Sequence, residues 1–257
     1  MTKEDKKNNK KLLICIRDYS HTSQMKGTIS TPNIDFKKLL LHLWTFKTPI
    51  YNIYIYMSEY KIINGNKILI VCFGGMALQF GGILPFEFLN YLSSLYVDIC
   101  DLYFFIDKNQ CWYHKGIQGI TNNIDETVLY INDIIKNGNY ERVLFIGISA
   151  GGYSAILFGS LCNNVNHIIS FIPQTILENA INSNYSNLKT VINNKSSYLL
   201  YGDKSVTNNN DKHHISHCEN LEHFSNVKII KGENCILKNL RDSGYIKNLI
   251  DTIILKV

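Results

Sequence analysis

No two of the chain's seven cysteines, Cys15, Cys72, Cys100, Cys111, Cys162, Cys218 and Cys235, are spaced as C-x-x-C. An odd number of cysteines, several of them in apolar runs, argues against a disulfide framework. It suits thiols that act as small hydrophobes in a reducing compartment. A concentrated basic surface is also missing. The formal charge is +5, but the opening MTKEDKKNNKK holds five Lys against Glu4 and Asp5 and supplies +3 of it. The nearly neutral remainder excludes an electrostatic nucleic-acid footprint. No internal repeat or low-complexity linker divides the 257 residues, a length that suits one large core. A secretory signal is not seen either, because the apolar run LLICI lasts only five residues before Arg17 and Asp18. These absences predict a cytoplasmic protein with a flexible basic tail over 1–10 and a single domain over 11–257.

What is present is alternation. Lys11–Tyr19 reads as a strand, and His21–Asn33 as loop. Pro49–Ile63 reads as a strand or hairpin, with Asn64-Gly65 as a turn signal. From Lys67 the pattern changes to short, continuous apolar runs, which suit parallel strands buried on both faces. KILIVCF, VDICDLYFFID, ERVLFIGI, VNHIISFIPQ, SSYLLYGD and NVKIIKG read as strands. PFEFLNYLSSL, NNIDETVLYINDIIKNGN, SAGGYSAILFGSLC, DKHHISHCENLEHF and ILKNLRDSGYIKNLIDTIIL read as helices. This order predicts an α/β fold, a mostly parallel central sheet with helices on both faces. Ligands in such sheets sit beyond the carboxyl ends of the strands, so functional residues belong in loops that follow strands.

Val143–Leu161 is nineteen residues without a charge, long enough for a membrane span. Gly147, Gly151, Gly152 and Gly159 inside it make a poor isolated helix, and the strand–helix alternation accounts for it better: a central strand, a sharp turn and a buried crossover helix. No membrane span is expected. The turn reads Gly147-Ile148-Ser149-Ala150-Gly151, the pattern G-x-S-x-G. A serine on such a turn stands clear of the sheet, while small residues two before and two after let strand and helix approach. The Ala150 amide would face a developing oxyanion, and the helix N-terminus adds partial positive charge.

With this motif between a buried strand and a helix, the chain from Lys67 onward resembles the α/β-hydrolase superfamily. The resemblance implies a three-layer sandwich, acyl transfer by Ser149, and a second oxyanion donor from Phe73-Gly74-Gly75-Met76, with Gly75 as the amide. It implies an acid after the second strand beyond the serine, where Asp203 ends SSYLLYGD; Asp211 is the runner-up. It also implies a histidine after NVKIIKG. Asn234 stands there instead, and no histidine follows His223. Asn takes no proton at neutral pH, and without a base the serine is a weak nucleophile. His114, in CWYHKG, follows a strand and is one replacement. His213 or His214 is another, and a chain without a working histidine is the third possibility. Cys235 is not a ready base.

The segments WYHKGIQG and FIPQ resemble hydrolase-like domains that accompany surface-polysaccharide enzymes. Trp112, Tyr113 and Gln174, with Asn234, are expected to line an acyl or sugar pocket, with core packing an equal alternative for the two aromatics. HHISHC pairs His213 with His217 and His214 with Cys218 at helical spacing, but on neighbouring faces, so no metal is expected. No cofactor is expected. The predicted activity is ester hydrolysis on a small acyl or acylated-sugar substrate, or transfer to a sugar hydroxyl. The rival is a hydrolase scaffold that binds without reacting.

Overall fold

The computed structural model describes residues 58–255 apart from 79, 80 and 234. The basic tail, the expected strand Lys11–Tyr19 and most of the expected Pro49–Ile63 strand lie outside the described residues. Within them, seven strands form one sheet. They are β1 (Glu59–Ile62), β2 (Ile68–Phe73), β3 (Cys100–Phe105), β4 (Arg142–Ile148), β5 (His167–Phe171), β6 (Ser197–Asp203) and β7 (Val227–Gly232). Their spatial order is β1-β3-β2-β4-β5-β6-β7. β1 runs antiparallel to β3 and all other pairings are parallel. The helices are α1 (Pro85–Tyr96), α2 (Ile124–Gly138), α3 (Ala150–Leu161), α4 (Ser216–Glu219), α5 (Leu237–Asp242) and α6 (Tyr245–Ile254).

The continuous apolar runs explain why this sheet is covered on both sides. β2 is ILIVCF and β4 is RVLFIGI, and nearly every position in both is buried. One set of side chains meets α2 and α3: Val71, Phe73, Val143 and Phe145 share a core with Ile131, Ile135, Ile156 and Phe158. Phe73 is its hub, with ring centroids of Phe105, Phe145, Phe158 and Tyr113 at 5.4 to 5.7 Å. Each fully buried aromatic of this kind contributes about 2 kcal/mol. The opposite face takes α1, α5 and α6, tied together by Tyr96 with Asp251 and by Arg241 with Glu87. The helices start and stop for local reasons. Asn123 caps α2 by accepting the Glu126 amide at 2.8 Å, and Glu126 reaches back to Asn123 and Asn122. α3 is apolar all round and is buried from Ala150 to Gly159, as a central crossover helix must be.

The chain leaves β2 in one direction, to β3, and after β4 builds outward in the other. The resulting switch point lies between the carboxyl ends of β2 and β4, where a crevice forms in sheets of this kind. Gly74-Gly75 and Ser149 lie there. Among the described residues no helix is long and apolar enough to cross a membrane. The six described cysteines are free and buried. One expected helix is largely absent. In DKHHISHCENLEHF only Ser216–Glu219 is helical, because side chains capture the backbone before it: Asn208 accepts the Asn210 amide and Asp211 accepts the His213 amide. The last expected helix is broken into α5 and α6 at Gly244, which has φ +78°.

Candidate active site

Ser149 is the single residue between β4 and α3, with φ +54° and ψ −120°. A residue with a Cβ adopts that conformation only under strain, and the surrounding packing enforces it. A Cβ on Gly147 would lie 2.0 Å from the Gly151 carbonyl oxygen, and one on Gly151 would lie 2.0 Å from the Phe73 carbonyl oxygen. The two glycines therefore let strand, turn and helix touch backbone to backbone. The Ser149 amide donates to Phe171 O at 2.9 Å, which ties the turn to β5. Ala150 opens α3, where the first amides have no partner inside the helix.

The Ser149 hydroxyl lies 2.8 Å from His213 Nε2. His213 comes from the loop after β6, not from the loop after β7. An isolated bridge between Asp203 and His214 turns that loop back against the end of β6. Asp211 supports the ring from behind: Oδ1 accepts the His213 amide at 2.8 Å and lies 3.7 Å from Nδ1. The latter is too long for a hydrogen bond and becomes an ion pair only when the ring is protonated. Desolvation pulls the imidazole below its ordinary pKa; Asp211 opposes this and Lys212 reinforces it. The ring is thus held neutral near pH 7, able to accept a proton.

The structure does not bring His114 to Ser149. Its Nδ1 accepts the Asn182 amide at 3.0 Å, so Nε2 carries the hydrogen and donates to Tyr153 Oη at 2.8 Å, and Tyr153 donates onward to Tyr185 O. Burial lowers its pKa to about 4. Both nitrogens are engaged in packing loops against α3. His214 turns its Nδ1 to Ser216. Asp203 ends β6 as expected, but its carboxylate accepts the Ser205 amide and hydroxyl and the Cys235 amide at 2.6 to 2.8 Å. The carboxylate paired with His213 is Asp211. The Cys235 thiol is pushed up to about 12 by burial and then by Asp203. Asn234 lies outside the described residues.

A cavity of about 370 Å³ opens over the serine, lined by Gly75, Met76, Trp112, Gln174 and His213 among others. Trp112 donates its indole N–H to Gln174 Oε1, and Gln174 Nε2 is 3.5 Å from the Ser149 hydroxyl. Tyr113 does not line the cavity. It is fully buried, its ring against Phe73 and Phe158, and its hydroxyl contacts the carbonyls of Phe105 and Gly74. It props the Gly74-Gly75 loop from below. Three segments that follow strands carry non-glycine residues at positive φ: Trp112 and Tyr113 at 56° and 60° in the loop after β3, Ser149 after β4, and Ile172 at 40° after β5. Such clustering marks functional sites. No sequence pattern marks the Ile172 kink, two residues before Gln174. HHISHC is dispersed: His213 faces Ser149 and His214 meets Ser216, while Cys218 is buried. Among the described residues no group of three metal-binding side chains assembles.

Solved structures that share this fold include proteins described as hydrolases and esterases. A Klebsiella pneumoniae protein assigned as a dienelactone hydrolase matches with TM-score 0.52 and 10% identity, over 77% of this chain and 92% of that one. The thermophilic esterase Est2 of Thermogutta terrifontis matches with TM-score 0.51 and 11% identity, over 77% of this chain and 88% of that one. A Pyrococcus furiosus esterase matches with TM-score 0.50 and 13% identity, over 76% and 85%. No protein-family model matches the chain, and no curated protein matches its sequence. The chain has the α/β-hydrolase fold.

Proposed function

We propose that this protein is a serine-dependent esterase in which His213, supported by Asp211, serves as the base. The observation that carries the reading is the 2.8 Å contact between Ser149 Oγ and His213 Nε2 on a strained strand–helix turn. Ser149 Oγ attacks the ester carbonyl carbon as His213 Nε2 takes its proton. The carbonyl oxygen becomes an oxyanion, held by the amides of Ala150 and Gly75. The tetrahedral intermediate collapses, and the alcohol leaves with the proton from His213. Water then attacks the acyl-serine with the same imidazole as base, releasing the acid. The Asp211 carboxylate holds the His213 backbone through its amide and favours the imidazolium that forms in each step.

Steady-state hydrolysis of p-nitrophenyl acetate tests this. Activity that disappears in Ser149→Ala and falls steeply in His213→Ala supports it. The second reading, a binding scaffold without chemistry, is favoured by the engagement of Asp203 with Ser205 and Cys235. It gains if folded wild-type protein shows no turnover above Ser149→Ala.

A further inference from the structure

A second cavity, of about 420 Å³, adjoins the serine cavity and shares Trp112, Gln174 and Lys212 with it. The two have different linings. Around the serine the walls are glycine, Met76, Ala77, Ile148 and Ile172. The second is rimmed by amides: Asn179, Asn209, Asn210 and Asn220, with Gln174 at the partition. Its charged lining consists of Glu178 and Lys212, one of each sign. Lys212 already lies 5.6 Å from the centroid of the Trp112 ring.

We infer that the second cavity is the alcohol-side subsite of the enzyme and holds a neutral, hydroxyl-rich group, a sugar unit, so that the substrate is an O-acylated glycan with a short acyl group. The inference rests on the esterase reading for its chemistry and on separate residues for its binding. Carboxamides offer both donor and acceptor, as vicinal hydroxyls require, and Trp112, with Lys212 already over its ring, contributes the part of its indole that lines the cavity. Asn220 donates both amide hydrogens, to Thr175 Oγ1 at 3.0 Å and to Asn187 Oδ1 at 3.1 Å, which orients its carbonyl oxygen as the acceptor. His217, on the same wall, has a buried Nδ1 without a hydrogen-bond partner among the described residues. A turn of that ring toward the cavity would let a hydroxyl satisfy it. The partition itself is hydrogen-bonded from Trp112 through Gln174 toward Ser149. A sugar against Trp112 thus sits one side chain away from the reacting oxygen. The small cavity receives the acyl group, and the scissile oxygen lies between the two.

The test uses Asn209→Leu/Asn210→Leu, both exposed loop residues. The measured quantity is the ratio of kcat/KM for O-acetylated glucose, galactose and N-acetylglucosamine to that for p-nitrophenyl acetate. The ratio should fall about tenfold for at least one sugar, the effect of losing two hydrogen bonds. An unchanged ratio for every sugar overturns the subsite. A second measurement does not depend on turnover: saturation-transfer NMR of the unacylated methyl glycosides with Ser149→Ala. Transfer that is lost in the Leu variant upholds the subsite even if no ester is cleaved, in which case only the esterase reading fails. No transfer from any glycoside overturns the subsite, whatever the esterase result.

Discussion

Comparing Ser149→Gly with Ser149→Ala isolates the strain at the turn. Both remove the hydroxyl and its contact with His213, so that loss cancels. The φ of +54° with ψ −120° costs a Cβ-bearing residue about 1–3 kcal/mol, and glycine escapes most of it. Glycine also loosens the unfolded chain, which costs about 0.4–1 kcal/mol. The glycine variant should therefore be the more stable by about 1 kcal/mol, or about 2–4 °C in Tm for a protein of this size. Urea titration of both, with equal m-values, reads this difference. If Ser149 were simply the first residue of a relaxed helix, alanine would be favoured by the same entropy and the order would reverse. Alanine equal to or more stable than glycine refutes the strained turn.

Other perturbations follow from the same geometry. His213→Gln should lower kcat/KM for p-nitrophenyl acetate about 10²- to 10⁴-fold through kcat, while circular dichroism stays native. The acid limb of kcat/KM should have its midpoint below the ordinary histidine value, activity being lost as pH falls through it. Asp211→Asn should move that midpoint further to acid and Lys212→Met back toward neutral, and movement in the opposite senses contradicts the assigned neighbours. His114, with a pKa of about 4 against about 6.5 when unfolded, contributes stability present in full above pH 6.5 and lost as pH falls through 4. Of the stability lost between those values in urea unfolding, the part carried by His114, up to about 3 kcal/mol, should be missing in His114→Gln, while the half-buried His167, His213 and His217 keep their own smaller shares. Gly151→Ala drives a Cβ to 2.0 Å from the Phe73 carbonyl oxygen, which no side-chain rotation relieves. It should cost about 3 kcal/mol or more, read from the urea midpoint.

The fold was readable where hydrophobic runs and turn chemistry agree. Ile68–Phe73 and Val143–Leu161 are uncharged, largely apolar stretches, the second broken by small residues, and only a buried strand, a tight turn and a buried helix accommodate them. The serine's position follows from that local pattern. Its partner does not, because His213 is 64 positions away and reaches Ser149 only after the loop folds back on the end of β6. The sequence leaves His213 and His214 equivalent; backbone geometry separates them, sending one to the serine and the other to Ser216. His114 follows a strand as a functional residue should, but its surroundings are made by distant residues, Tyr153 and Asn182, that no local pattern reveals. DKHHISHCENLEHF is helical only at Ser216–Glu219, because the Asn208 and Asp211 side chains hold the backbone before it in turns.

Activation of Ser149 by His213 has a chemical readout of its own. Intact-mass and peptide mapping after exposure to a fluorophosphonate measures this most directly. A single adduct on the peptide carrying Ser149, formed at least a hundredfold more slowly in His213→Gln, is the predicted result. A folded protein that stays unmodified, or one labelled at Ser149 just as fast without His213, contradicts it.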